Sequence, residues 1–207
     1  MTICISGASG LVGNEILIQS LNDPRTEKVL VLARNPLSFG HAKMQVVLVP
    51  FDQLEQLEVA EKIDVAFCAL GTTLKKAGSK KRQQEIDRDY VVSFGRFCKK
   101  AGVEKIGIVS SIGANEKSSN FYLRTKGEME QGVSQLEIPL TVFIRPSFLI
   151  GPRKEKRFSE KIIQGLLFLI SPLLLGKAKK YRGIHASKVA QKLIEATLSN
   201  AKGIHCI

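Results

Sequence analysis

The sequence contains no tryptophan, and tyrosine, histidine and cysteine are scarce, with three, three and four residues. A nucleic-acid interface usually combines clustered basic residues with exposed aromatic side chains or a recognised binding motif. We find no such motif and expect no nucleic-acid partner.

The cysteines (Cys4, Cys68, Cys98 and Cys206) are scattered without a Cys-x-x-Cys pair. This spacing argues against a disulfide framework and a zinc site, so we expect no metal and a reducing, cytoplasmic setting.

Acidic residues are also few: 19 Asp and Glu stand against 31 Lys and Arg, and the formal net charge is +12. A basic surface in contact with solvent is one explanation of this net charge. A surface that attracts an anionic membrane or an anionic small molecule is another.

The apolar stretch Ile162–Leu175 is too short to span a bilayer and is interrupted by Gly165, Ser171 and Pro172. We interpret it as a buried helix or a pocket wall. A peripheral membrane contact or a subunit interface is the less favoured alternative.

Apolar runs alternate with helical patterns along most of the chain. The runs are Thr2–Ser6, Val29–Ala33, Gln45–Val49, Asp64–Gly71, Lys105–Ser110 and Pro139–Arg145. Helical patterns follow them, at about 11–21, 53–61, 79–101 and 119–136, with a last one at about 187–198 before a short tail. Because the runs are continuously apolar, they predict parallel strands covered on both faces. We therefore predict an α/β fold with a doubly wound parallel sheet (a Rossmann fold) in one domain over 1–207. Residues from about 150 to 207 are expected to form a small C-terminal substrate-side extension.

The first strand and the first helix are joined by a glycine turn with the spacing Gly-x-x-Gly-x-x-Gly. Glycines at such a junction let the backbone turn tightly and approach a pyrophosphate, while the N-terminus of the helix offers free N–H groups. A plain tight turn is the alternative, but the strand before the turn and the helix after it favour a dinucleotide site. The residues predicted to hold the pyrophosphate are Gly7, Ala8, Ser9, Gly10, Leu11 and Val12.

Arg34 follows the second strand, where an acidic residue would bind the adenosine ribose of NAD. A guanidinium can instead bind a 2′-phosphate through two hydrogen bonds. The sequence therefore favours NADP(H) over NAD(H). Asp52, after the third strand, can accept a hydrogen bond from the adenine amino group or cap the following helix.

Ser111 lies at the end of the fifth strand, and Tyr122 and Lys126 follow on one helix face. A lysine ammonium close to a phenol favours the phenolate, so that a tyrosine can exchange a proton near neutral pH. A serine hydroxyl nearby can hold the oxygen of a substrate. Tyr-x-x-x-Lys alone is common by chance on solvated helices, but its order after the glycine turn and the serine predicts a catalytic group.

Together these motifs resemble the short-chain dehydrogenase/reductase superfamily, and the glycine spacing resembles its atypical NAD(P)H-binding members. Leu70–Thr73, Asp87–Tyr90 and Ser118–Phe121 are similar to the human Tat-interacting protein group and its bacterial relatives. The resemblance implies a Rossmann fold, an NADP-type cofactor and the usual catalytic roles for Ser, Tyr and Lys. It also implies further cofactor contacts from Ala69, Leu70, Gly71, Thr72, Tyr122, Lys126, Arg145 and Pro146. One departure is that Asp87 or Asp89 lies where the superfamily often has Asn.

The predicted fold indicates where several of the basic residues lie. Lys75–Lys76, Lys80–Arg82 and Arg153–Arg157 follow strands at the carboxyl edge of the sheet, where ligands of open α/β sheets bind. The sequence thus predicts an NADP-dependent oxidoreductase that acts on a carbonyl or alcohol of unknown identity. The alternative is an NADP(H)-binding sensor with little turnover, which acts through a protein partner or a membrane surface.

Overall fold

Seven parallel strands form the main sheet of the computed structural model, which describes residues 1–151 and 183–207. The strands, in chain order, are β1 (Thr2–Ser6), β2 (Lys28–Ala33), β3 (Met44–Leu48), β4 (Val65–Cys68), β5 (Lys105–Val109), β6 (Leu140–Ile144), β7 (Leu149–Ile150), β8 (Ile184–His185) and β9 (Gly203–Cys206). The spatial order of the main sheet is β3-β2-β1-β4-β5-β6-β9, while β7 and β8 pair separately. This is the Rossmann-like α/β architecture that the sequence predicted.

Helices cover both faces of the sheet. They are α1 (Leu11–Asn22), a 3₁₀ helix (Phe51–Gln56), α2 (Leu74–Ala77), α3 (Lys80–Gln84), a π-helical turn (Glu85–Asp89), α4 (Tyr90–Lys100), α5 (Phe121–Ser134) and α6 (Ala186–Thr197). Helices α1 and α6 pack on one face, and α4, α5 and the 3₁₀ helix pack on the other.

Strand β1 shows why the strands read as continuous apolar runs. Ile3 and Ile5 belong to the core beneath α1 and α6, whereas Cys4 between them belongs to the core beneath α4. All three are at most 1 % exposed. Because successive side chains point to opposite faces and both faces are covered, the three central positions of the strand are all apolar.

Three local features differ from the sequence-based prediction. The tail after α6 forms β9, which pairs with β6 through bonds such as Ile207 N to Phe143 O, 2.9 Å. The residues of β9 are exposed, so the sequence of this strand shows no pattern of buried apolar positions that would have predicted it. The helix expected at 53–61 is the shorter 3₁₀ helix. The long helix expected at 79–101 is divided into α3, the π-helical turn and α4.

The predicted substrate-side extension falls largely beyond the part of the chain that the structure describes. Ile162–Leu175 and Arg153–Arg157 both lie outside the described residues. Within the described ranges, no helix has the length and apolar character needed to cross a membrane.

Candidate cofactor-binding cleft

A cleft opens at the carboxyl ends of β1 and β4, where the strand order reverses. Its volume is about 370 Å³. Ligands of open α/β sheets bind at this switch point, since the loops of the two neighbouring strands leave in opposite directions. The described residues that line it are Gly7, Ala8, Ser9, Gly10, Leu32, Ala33, Arg34, Asn35, Pro36, Leu37, Phe51, Ala69, Leu70, Gly71, Thr72, Lys76, Ile86 and Tyr90.

Two glycines of the turn are required by close backbone contacts. Gly7 has φ +87°, and a Cβ there would lie 2.6 Å from the carbonyl carbon of Ala69. A Cβ on Gly13 would collide with the carbonyl oxygen of Gly7. These contacts hold α1 close against the end of β1 and bring the loops after β1 and β4 together.

The N-terminus of α1 is open toward the cleft. Gly10 is the N-cap in an extended conformation, and no side chain of the described residues caps the helix. Ser9 and Gly10 are exposed. Of the other predicted residues, Leu11 is half-buried in the first turn and Val12 packs in the core beneath α1. The first N–H groups of the helix are therefore placed to bind an anion.

The outer end of the cleft is positively charged. Arg34 lies with its guanidinium carbon 5.5 Å from the centre of the Phe51 ring, within range of a cation–π contact. Among the described lining residues, Arg34 and Lys76 are the charged ones, and both are cationic. Asp52 is exposed in the 3₁₀ helix, and Phe51, its neighbour, lines the cleft instead.

The inner end is formed by the loop after β4 and by α5. A side chain on Gly71 would begin 3.4 Å from Oδ1 of Asp87 and 3.9 Å from Nζ of Lys126. Lys126 is only 3 % exposed. The lysine therefore reaches the same loop that carries the predicted cofactor residues Ala69 to Thr72, although it lies on a distant helix.

Asp87 is fully buried beside this lysine. Its Oδ1 accepts a hydrogen bond from the Thr72 backbone N–H, at 2.6 Å, and its Oδ2 accepts one from Nε2 of Gln83, at 3.3 Å. Burial raises the pKa of the Asp87 carboxyl above its usual value, while the positive charge of Lys126 and the two hydrogen bonds act in the opposite direction. Both carboxylate oxygens thus accept a hydrogen bond, one of them from the cleft-lining residue Thr72.

The other two predicted catalytic residues lie at the same edge of the sheet. Tyr122, in the first turn of α5, is 37 % exposed. Ser111 is half-buried, while the preceding Ser110 points inward and its buried hydroxyl has no hydrogen-bond partner among the described residues. The backbone N–H of Ile112 donates to the carbonyl oxygen of Pro146, 3.0 Å away, which joins the loops after β5 and β6.

The side chain of Arg145 binds Glu130 and lies away from the cleft. Its Nε and Nη2 donate to the two carboxylate oxygens of Glu130, at 3.0 and 2.5 Å. Glu130 is 7 % exposed, and its proximity raises the pKa of Arg145. The pair lines a separate cavity that also contains Cys206, so the Arg145 side chain joins α5 to the end of β6 and does not line the cleft.

Sequence reasoning missed two aromatic lining residues, Phe51 and Tyr90. The hydroxyl of Tyr90 donates to Glu85, at 2.9 Å, and accepts from Arg82, at 2.8 Å. Asp87 was noted only as a departure from a family pattern. The residues one turn before and one turn after it are Gln83 and Val91, one polar and one apolar, so no hydrophobic pattern marked its position.

Three comparisons with known proteins agree with this geometry. Residues 7–161 match a family model described as NAD(P)H-binding. The protein FMP52, mitochondrial, of Debaryomyces hansenii is 33% identical over 98% of this chain and 92% of its own length. The protein HTATIP2 of Rattus norvegicus is 34% identical over 77% of this chain and 67% of its own length.

Solved structures with low identity share the fold. MoeE5 in complex with UDP-glucose and NAD has a TM-score of 0.75 at 15% identity, covering 100% of this chain and 75% of that one. A UDP-glucose 4-epimerase of Thermotoga maritima has a TM-score of 0.72 at 14% identity, covering 100% of this chain and 76% of that one.

The comparisons also correct one expectation. Free cysteines predicted a reducing, cytoplasmic setting, but FMP52 relatives from several fungi are named mitochondrial. Buried thiols such as Cys4, Cys68 and Cys98 reflect packing in the core and carry no information about the compartment.

The family assignment rests on other features: the parallel sheet, the glycine turn and the matched residues. This chain belongs to the NAD(P)H-binding family, among atypical short-chain dehydrogenase/reductase-like Rossmann proteins related to HTATIP2 and FMP52.

Proposed function

We propose that this protein is an NADP-dependent oxidoreductase that interconverts a carbonyl compound and its alcohol. The observation that carries the proposal is the position of Lys126. Its Nζ lies beside Gly71, a lining residue of the cleft, and Tyr122 stands one helical turn before it. This position supports a reaction in which Tyr122, assisted by Lys126, exchanges a proton at the edge of the sheet where the cleft opens.

The cleft fits an NADP-type dinucleotide. Gly7 and Gly10 leave room for a pyrophosphate against the uncapped N-terminus of α1. Arg34 and Lys76 bring positive charge to the lining, and no described lining residue is acidic. Such a lining suits an additional 2′-phosphate, which carries negative charge and is bound well by a guanidinium. The adenine contact of Asp52 remains part of the proposal.

The catalytic roles follow from the residue types. When bound, the nicotinamide supplies the hydride. Tyr122 donates its phenolic proton to the carbonyl oxygen, and the ammonium of Lys126 stabilises the phenolate that is left. Ser111 holds the same substrate oxygen by a hydrogen bond. In this proposal Lys126 and the backbone near Pro146 also contact the nicotinamide half of the cofactor.

A carbonyl screen that follows NADPH absorbance tests this proposal. Panels of aldehydes and ketones are offered to the unmodified protein and to Tyr122→Phe, with NADPH affinity measured for both. General acid catalysis contributes about 10²–10⁴-fold, so Tyr122→Phe should lose that much in kcat while its NADPH affinity stays unchanged.

Two outcomes contradict the proposal. Equal rates in both proteins would remove Tyr122 from the chemistry. Tight NADPH binding without oxidation by any carbonyl would favour the alternative, a sensor that binds NADP(H) and acts through a partner.

A further inference from the structure

We propose that Phe51 is a positioning residue for cofactor choice, whose ring holds the Arg34 guanidinium in place for the 2′-phosphate of NADP(H). The inference rests on the proposed function, because it concerns the cofactor preference assigned there to Arg34. It adds an aromatic residue for which the sequence indicated no role.

The register of the sheet brings Phe51 to Arg34. Strands β2 and β3 run parallel with Ala33 opposite Leu48, and the Val49 N–H donates to the carbonyl oxygen of Ala33 at 2.9 Å. Both segments leave the sheet after these residues, so Arg34 and the start of the 3₁₀ helix emerge side by side. The guanidinium carbon of Arg34 consequently lies over the Phe51 ring, 5.5 Å from its centre.

The ring of Phe51 is itself fixed by its neighbours. Phe51 is 5 % exposed and belongs to the core beneath α4. Its ring meets the ring of Tyr90 edge to face, with the centroids 5.8 Å apart and the planes at 76°. The Tyr90 hydroxyl is held in turn by Glu85 and Arg82. Phe51 is therefore a rigid support in the wall of the cleft, whereas Arg34 is exposed.

Arg34 has no acidic partner that would hold it instead. Among the residues that the structure describes, no carboxylate pairs with its guanidinium. A long exposed side chain loses rotamer freedom when it binds a ligand, and a contact that holds it beforehand lowers that cost. The N–H donors of a guanidinium lie in its plane, so the face of the group can rest on a ring while the donors stay available to a phosphate.

A ring in the cleft wall also offers a surface for the adenine base. That contact would be the same for NADPH and NADH, because the two cofactors differ only in the 2′-phosphate. Support of Arg34 changes the ratio of the two affinities, whereas contact with adenine changes both affinities alike. The contact between the ring and the guanidinium favours the first role.

The experiment is a double-mutant cycle of Phe51→Leu and Arg34→Met, in which calorimetry measures the affinities for NADPH and NADH. Leucine keeps an apolar side chain but removes the aromatic face. A cation–π contact at an exposed site corresponds to about two- to fivefold in affinity, so Phe51→Leu should lower the NADPH-to-NADH affinity ratio by that factor. In the Arg34→Met protein, the same substitution should leave the ratio unchanged.

Phe97→Leu is the matched control, because it removes a buried ring of α4 that does not line the cleft. Its affinity ratio should equal that of the unmodified protein. A second measurement does not require that Phe51→Leu folds. In proton spectra of the unmodified protein, the ring current should move the Arg34 Nε–H signal, identified with Arg34→Met, upfield of a free arginine side chain. A signal at the position of a free side chain would overturn the inference.

Two outcomes of the cycle would also overturn it. Equal losses of NADPH and NADH affinity in Phe51→Leu would mean that the ring serves a part common to both cofactors. A ratio that falls by the same factor with and without Arg34 would mean that the ring does not act through the guanidinium. If the cycle gives the expected result but bound NADPH reduces no carbonyl, this inference stands and only the catalytic part of the proposed function fails.

Discussion

The two ends of the cleft differ in whether main-chain or side-chain groups form them. At the phosphate end, the contacts come from main-chain groups: the turn of Gly7, the approach of Ala69 and the uncapped start of α1. At the lysine end, they come from side chains, since Lys126 of α5 and Asp87 of the π-helical turn both approach Gly71.

This difference determines how each end responds to substitution. A main-chain site depends on glycines that leave room, so adding one methyl group disturbs it even though no functional atom is removed. A side-chain site depends on particular charges and hydroxyls. An isosteric change can abolish its chemistry there and leave the fold intact. The predictions below use this contrast.

Lys126→Met should have the largest effect, because it removes the charge at the lysine end and keeps most of the apolar volume. General acid catalysis contributes about 10²–10⁴-fold, and kcat should fall within that range. NADPH affinity should also decrease, since the side chain is proposed to serve both cofactor and tyrosine. Steady-state kinetics and calorimetry measure the two effects. Lys117→Met, which changes an exposed lysine, is the control. A normal kcat would remove Lys126 from catalysis.

Gly13→Ala should have the next largest effect, at the phosphate end. Its Cβ would collide with the carbonyl oxygen of Gly7, and main-chain atoms cannot move aside as a flexible side chain can. Overpacking of this kind costs about 1–3 kcal/mol. We expect a lower melting temperature and weaker binding of NADPH and NADH alike. In the control, Gly40→Ala, the new Cβ meets no atom within 4 Å. Equal melting temperatures for the two variants would contradict this account.

Arg34→Glu should have the smallest effect, confined to the choice of cofactor. One charge-assisted hydrogen bond contributes about 1.5–3 kcal/mol, and each 1.4 kcal/mol is a factor of ten. NADPH should therefore bind the unmodified protein at least tenfold more tightly than NADH, and Arg34→Glu should erase or reverse this preference. Arg34→Lys keeps the charge without the planar fork and should be intermediate. Equal calorimetric affinities of the unmodified protein for both cofactors would refute the assignment.

The predicted strands agree with the structure more closely than the long-range contacts do. The inner strands of the doubly wound core were recognisable because burial on both faces favours apolar residues at successive positions, as at Ile3, Cys4 and Ile5. Strand β9 was missed because its residues are exposed. Arg145 could be placed at the end of β6, but its sequence position does not reveal that Glu130, on α5, binds its guanidinium.

The sequence by itself determined the alternation of strands and helices, the glycine turn and the Tyr122–Lys126 spacing. These are local features, since they depend on backbone sterics and on residues within one or two turns. Only the tertiary structure decided that Asp87 and Lys126 both approach Gly71, that Phe51 lies under Arg34, and that Arg145 turns away from the cleft. Such contacts join residues far apart in the chain. Their geometry follows from how the helices pack on the sheet, which no short stretch of sequence encodes.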